Sequence, residues 1–220
     1  MEPTPSAGPW PGHWQAHERL ARHSAFSYAC AGCGRCCRGK GIRVNPYEIA
    51  RLARLRGTST TQFIGEFVFE GELRRRDDGS CVFLEGNGCA VHADRPYVCR
   101  LYPLTRRREL NGNESFGHDL PHPQTEGRYG ESGTVQGWLD AQGVMPYLAA
   151  IDRYRQAFSR LLAALAAREG TEGVAGWIDD PGEHSMVWMD IDAALGPAPP
   201  DADLDARLDA HLRWLEQQLS

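Results

Sequence analysis

Long apolar runs are absent from this 220-residue chain; no stretch of 18 or more apolar residues occurs, which excludes a membrane-spanning helix. Nor does Met1–His17 read as a secretory leader, because it is rich in Pro and Gly and has neither a basic start nor an apolar core. Residues 1–24 read as a flexible leader, and the protein is expected to be soluble and cytoplasmic, with no membrane partner. There is no glycine-rich phosphate loop, no His-Glu-x-x-His and no readable nucleophile–base pair. Triads are recognised in space and not by sequence order, so these absences leave enzyme activity open. Basic runs are short: Arg74–Arg76 and Arg106–Arg108 lack an accompanying aromatic motif, and nucleic acid is not the favoured partner.

What the chain does hold is thiol. Seven cysteines in a reducing compartment do not persist as a disulfide framework, and an odd number argues against full pairing. Clustered thiols there point to metal or redox chemistry. Charge is split along the chain: residues 30–110 carry 15 Lys/Arg against 9 Asp/Glu, and residues 131–220 carry 6 against 15. Opposite signs attract, so an intramolecular contact is the plain expectation.

Asn45-Pro46-Tyr47-Glu48 has the elements of a helix start: a capping Asn, a Pro at the first turn and a Glu three residues after the cap. Ile49, Leu52 and Leu55 continue on one face and Gly57 marks the stop. A second short helix is predicted over Thr60 to Phe67. Two Gly-containing turns, Asp77–Ser80 and Glu85–Gly88, separate short segments at Leu73–Arg75, Cys81–Leu84 and Cys89–His92, which read as a hairpin or three-stranded meander. Arg95–Cys99 opens one helical turn ending near Pro103, and Asn111–Gly133 reads as loop. The C-terminal third is helical. Leu148, Ile151, Tyr154, Phe158, Leu161, Leu162 and Leu165 form one stripe, and Leu204, Leu208, Leu212, Leu215 and Leu219 another, within Asp201–Leu219. The class is therefore α+β: a small cysteine-rich metal-binding region with short helices and a β-hairpin over 25–130, then C-terminal α-helices over 131–220 packed against it.

The strongest signal is Cys30-Ala-Gly-Cys33-Gly-Arg-Cys36-Cys37. Four thiols among small residues can turn several sulfurs toward one centre, and Gly32 and Gly34 let the backbone bend. Such a loop has little apolar surface, so metal binding is expected to supply its folding free energy. Cys81, Cys89 and Cys99 can converge on the same centre, which makes all seven cysteines candidate ligands. Each of these three also fits a small buried hydrophobe.

The stretch Phe26-Ser-Tyr-Ala-Cys30 through Cys37, with Cys81-Val-Phe-Leu, Gly88-Cys89-Ala-Val-His92 and Arg95-Pro96-x-x-Cys99-Arg100-Leu-Tyr-Pro103, resembles the YkgJ-type cysteine-cluster family. The resemblance covers roughly residues 26–104 and implies a zinc, iron or iron–sulfur site. A related cluster occurs in flagellin lysine methylases, which keeps catalysis in view. Family members often add a Cys-Pro-Gly segment further on. This chain has Gly117-His118-Asp119-Leu120-Pro121-His122-Pro123 there, so His118 or His122 is a candidate nitrogen ligand, with His92 as another.

Spacing leaves the metal open. Cys30-x2-Cys33-x2-Cys36 matches the opening of a bacterial ferredoxin run, but Cys37 then follows at once. Zinc is satisfied by four thiolates. The resemblance favours an iron–sulfur cluster, of the 4Fe-4S kind, in a redox or catalytic protein that meets a redox or protein partner. The alternative is a zinc-stabilised interaction module without catalysis.

Overall fold

Asn45 starts the first long helix, α1 (Pro46–Arg56). Its side chain accepts the Glu48 amide, the Glu48 carboxylate accepts the Asn45 amide in return, and Gly57 closes the helix at φ 67°. α2 (Thr60–Phe67) repeats the device with Ser59 and Gln62. Both helices fall where the sequence places them. In this computed structural model the described residues are 19–86, 88–109, 112–118, 126–179, 188–199 and 201–218.

The chain divides into two compact units, one drawn from Met1–Ile42, Arg75–His92 and Val98–Val144, the other from Arg43–Arg74, Ala93–Tyr97 and Met145–Ser220. In the first, β1 (Ala25–Ala29) pairs antiparallel with β8 (Arg128–Thr134), and β6 (Leu104–Arg108) with β7 (Glu114–His118). β4 (Leu84–Glu85) and β5 (Gly88–Cys89) form a two-residue ladder. Phe26, Tyr28, Leu104 and Phe116 are buried, as are Val135 and Leu139 of α4 (Val135–Ala141), which packs against β1 and β8. Trp138 meets Phe26 and Tyr28 edge-on at 5.8 and 5.9 Å. Gly127 has to be glycine, since a Cβ there would lie 1.9 Å from the Tyr28 hydroxyl.

The second unit holds α1, α2 and the hairpin of β2 (Val68–Phe69) with β3 (Glu72–Leu73). It also holds α5 (Met145–Asp179), which breaks helical geometry at Gly170 (φ 78°), α6 (Ile191–Leu195) and α7 (Leu204–Gln217). The C-terminal helices pack against the earlier pair: α5 and α7 meet each other and α1, and α6 meets α2. Tyr47, Tyr147, Tyr154, Leu208, Leu212 and Leu215 make one cluster. The apolar stripes read from the sequence supply most of it; the side chain of Leu165, and Leu219, lie outside the described residues. Asp190 caps α6 and accepts the Thr60 hydroxyl at 2.5 Å, while Asp192 accepts the Thr60 amide at 2.7 Å, so acidic side chains satisfy two helix N-termini together.

The α+β class is borne out. One local reading is corrected and another narrowed. The supposed loop 111–133 contains β7 and most of β8, whose ladders are supplied by β6 and β1 and not by the Gly- and Ser-rich segments themselves. Of the hairpin or meander, the hairpin is formed, β4 pairing on to β5 across Glu85–Gly88; β3 pairs back to β2, and Arg75 and Cys81 share only an isolated bridge. α6 forms ahead of Ala198-Pro199-Pro200, with Asp190 capping it. Among the described residues no helix is long and apolar enough to cross a membrane.

Candidate metal centre

β1 delivers the chain into the cysteine loop. Gly32 (φ 66°) and Gly34 (φ 68°) adopt left-handed geometry, which turns the backbone into a short 3-10 turn over Arg35–Cys37. The Gly32 amide donates to the Cys30 thiol at 3.4 Å, and the Cys37 amide to the Gly34 carbonyl at 3.1 Å. Cys30 is exposed and the other six cysteines are half-buried.

A second loop is tied directly onto the first. The Cys81 amide donates to the Cys37 carbonyl at 2.8 Å and the Gly39 amide to the Gly79 carbonyl at 2.9 Å. Asp78 organises the intervening turn by accepting the Ser80 amide at 2.9 Å and the Ser80 hydroxyl at 2.6 Å, and it meets Arg38 at 3.1 Å. The Ser80 hydrogen bonds, with help from Arg38, hold the Asp78 carboxyl down near 2. Cys89 stands opposite Leu84 in the β4–β5 ladder. Cys99 sits in α3 (Tyr97–Leu101), next to which Tyr102 carries Lys40 5.0 Å above its ring.

Electrostatics shows which thiols share a neighbourhood. The Cys37 thiol is pushed well up, first by its hydrogen bond with Cys36, then by burial and by the charges of Cys36, Cys99 and Cys89. Burial pushes Cys99 up to about 12, opposed by Lys40 and reinforced by Cys81, Cys36 and Cys89. Cys81 is raised by burial, against the Phe83 amide that bonds it, with Cys89 adding and Arg76 opposing. Five thiols, Cys36, Cys37, Cys81, Cys89 and Cys99, are therefore linked through one another's charge. A cation among the five would reverse the mutual repulsion, which is the behaviour of a donor set for a thiophilic metal. Among the described residues no three Cys, His, Asp or Glu side chains stand close enough to hold a single ion. The five donors share a region without being closed on a point.

The candidate nitrogen ligands fare differently. His92 is exposed at the start of a 3-10 turn. His122 and the side chain of His118 lie outside the described residues. Two residues that the cysteine pattern does not point to, Arg76 and Asp78, hold the second loop. The Asp-Gly-Ser turn is a signal that could have found Asp78; nothing local marks Arg76.

Residues 29–119 match the CxxCxxCC family model, described as "Putative zinc- or iron-chelating domain". The likeness covers this segment of the chain. The match bears out the resemblance carried by the cysteine pattern and spans all seven cysteines. No curated protein and no solved structure matches the chain. Zinc or iron chelation is what that family description names for such a segment.

The hinge at Gly32 and Gly34 yields a prediction. Chelator-treated protein should be cleaved by trypsin at Arg35 or Arg38 while the C-terminal helices stay protected, and metal-loaded protein should resist. Equal cleavage with and without metal would show that the loop owes nothing to it.

Proposed function

We propose that the CxxCxxCC segment holds an iron–sulfur cluster and that the protein works through it in a redox or catalytic role. Cys36, Cys37, Cys81, Cys89 and Cys99 are the inner donors, and Cys30 and Cys33 join from the hinged loop. One observation carries the reading. The five thiols lie in one electrostatic neighbourhood, more sulfur donors than one tetrahedral ion takes. A tetrahedral zinc with Zn–S near 2.3 Å requires its sulfurs about 3.8 Å apart, a tightness that leaves surplus thiols outside. A polynuclear cluster interposes several metal and sulfide atoms and accepts donors set further apart. When bound, such a centre supplies one-electron transfer or an open iron for a substrate. The chain's own part is to hold the thiols with main-chain hydrogen bonds and to place Lys40 beside Cys99, offsetting the negative charge of a thiolate-ligated centre.

The test is anaerobic purification followed by metal and sulfide analysis. The protein is expected to be brown, to contain iron and acid-labile sulfide, and to lose visible absorption on reduction. Colourless protein with stoichiometric zinc and no sulfide would overturn the reading and leave a zinc-stabilised interaction module in its place.

A further inference from the structure

The Cys81–Leu84 turn has four successive carbonyls, and every one is bonded. That of Cys81 accepts the Leu84 amide at 3.0 Å and that of Phe83 the Ala90 amide at 2.9 Å. The remaining two accept from a single side chain: Arg76 donates Nη2 to the Val82 carbonyl at 2.7 Å and Nη1 to the Leu84 carbonyl at 2.6 Å. The backbone of Arg76 is itself fixed, its amide donating to the Ser80 carbonyl and its carbonyl accepting the Gly79 amide, both at 2.8 Å. Half of the anchors of this turn therefore come from one guanidinium.

The turn matters because of what stands at its two ends. Cys81 opens it, and Leu84, which closes it, is the ladder partner of Cys89. We propose that Arg76 is a positioning residue for the metal centre, its forked guanidinium fixing the Cys81–Leu84 turn and so the separation of Cys81 from Cys89. The inference rests on the reading that these two cysteines are ligands. Arg76 is exposed, so it fills no core and its replacement opens no cavity. The two carbonyls it binds are separated by one residue, and each takes its own nitrogen of the planar fork, a pairing with fixed geometry that a rotating ammonium does not impose. Outer-shell groups that orient ligands are typically worth about 10–100-fold in metal affinity.

The experiment titrates Co2+ into reduced, metal-free full-length protein under anaerobic conditions. Affinity is read from the thiolate-to-cobalt charge-transfer band, and its intensity at saturation counts sulfur ligands. R76A is expected to bind about 10–100-fold more weakly with unchanged intensity at saturation, because every thiol remains. R76K should fall between R76A and the natural chain. C81S serves as the reference for the ligand reading and should lose intensity at saturation. If C81S loses intensity while R76A keeps full affinity, the clamp is wrong and the ligand reading stands. If C81S keeps full intensity, Cys81 is not a ligand and the clamp falls with it. Should R76A lose its near-ultraviolet circular dichroism, R76K decides: affinity equal to that of the natural chain would overturn the forked clamp, and weaker binding at full intensity would sustain it.

Discussion

Acidification from pH 7 to pH 4 will cost the helical unit about 3 kcal/mol through one side chain, His211. This histidine is fully buried in α7, with its ring stacked on Trp214 at 5.7 Å. Nδ1 shares a hydrogen bond with the Tyr154 hydroxyl at 2.9 Å, and the buried Nε2 has no hydrogen-bond partner among the described residues. A second ring proton would thus be a buried charge without an acceptor. Burial pushes His211 from the ordinary 6.5 down to about 4, Asp190 working against that shift and Arg207 with it. The sign follows from proton counting: between those two values the unfolded chain binds a proton that the folded chain refuses. Stability is complete above 6.5 and declines as pH falls toward 4. Carboxylates elsewhere also titrate in acid, so the comparison is with His211→Phe, which keeps an aromatic ring beside Trp214 and cannot titrate. Denaturant unfolding followed by helical circular dichroism should show a pH 7 to 4 loss smaller in the variant by about 3 kcal/mol. Identical pH profiles for the two proteins would mean that the folded ring accepts its proton freely.

Glu48→Ala should destabilise the same unit by about 3–4 kcal/mol. The Glu48 carboxylate is 2% exposed and serves two places at once. Oε2 accepts the Asn45 amide at 2.9 Å and its side-chain Nδ2 at 2.8 Å, and Oε1 accepts the Tyr97 amide at 2.5 Å. Truncation therefore removes a helix cap and orphans donors in a region closed to water, with each bond to a charged acceptor worth about 1.5–3 kcal/mol. Glu48→Gln keeps one oxygen, which can serve Asn45 or Tyr97 but not both, and should cost about half as much. Urea midpoints of the two variants measure this directly. A loss below about 1 kcal/mol for the alanine variant would show that water reaches the orphaned donors.

How much of this was legible depends on where each contact lives. Asn45, Glu48 and Gly57 act within one helix, so their spacing announces the cap and the stop before any fold is known. The α7 stripe is equally plain because Leu208, Leu212 and Leu215 recur at helical period. β7 and β8 were hidden since Ser115, Gly117, Gly130 and Gly133 carry no strand preference; those segments are extended only because β6 and β1 offer them partners. The cysteine cluster was legible as chemistry, four thiols in eight residues having few other uses. Its supports were not. Arg76 binds carbonyls, which every residue has, so no pattern of side chains betrays it. His211 looked like one more position on an amphipathic helix, and only its enclosure by Tyr154 and Trp214 makes it exceptional.

The alternation of the chain between two units has a consequence for synthesis. α1 and α2 leave the ribosome before α5, α6 and α7, whose surfaces bury them. Until those helices emerge, the apolar faces of the first pair stay uncovered and the thiols emerge alongside them. A gene truncated after residue 144 would yield every cysteine but a permanently unfinished second unit. Expression trials that trim the C-terminus to isolate the thiol-rich half should accordingly deliver aggregated material, however well the metal is supplied.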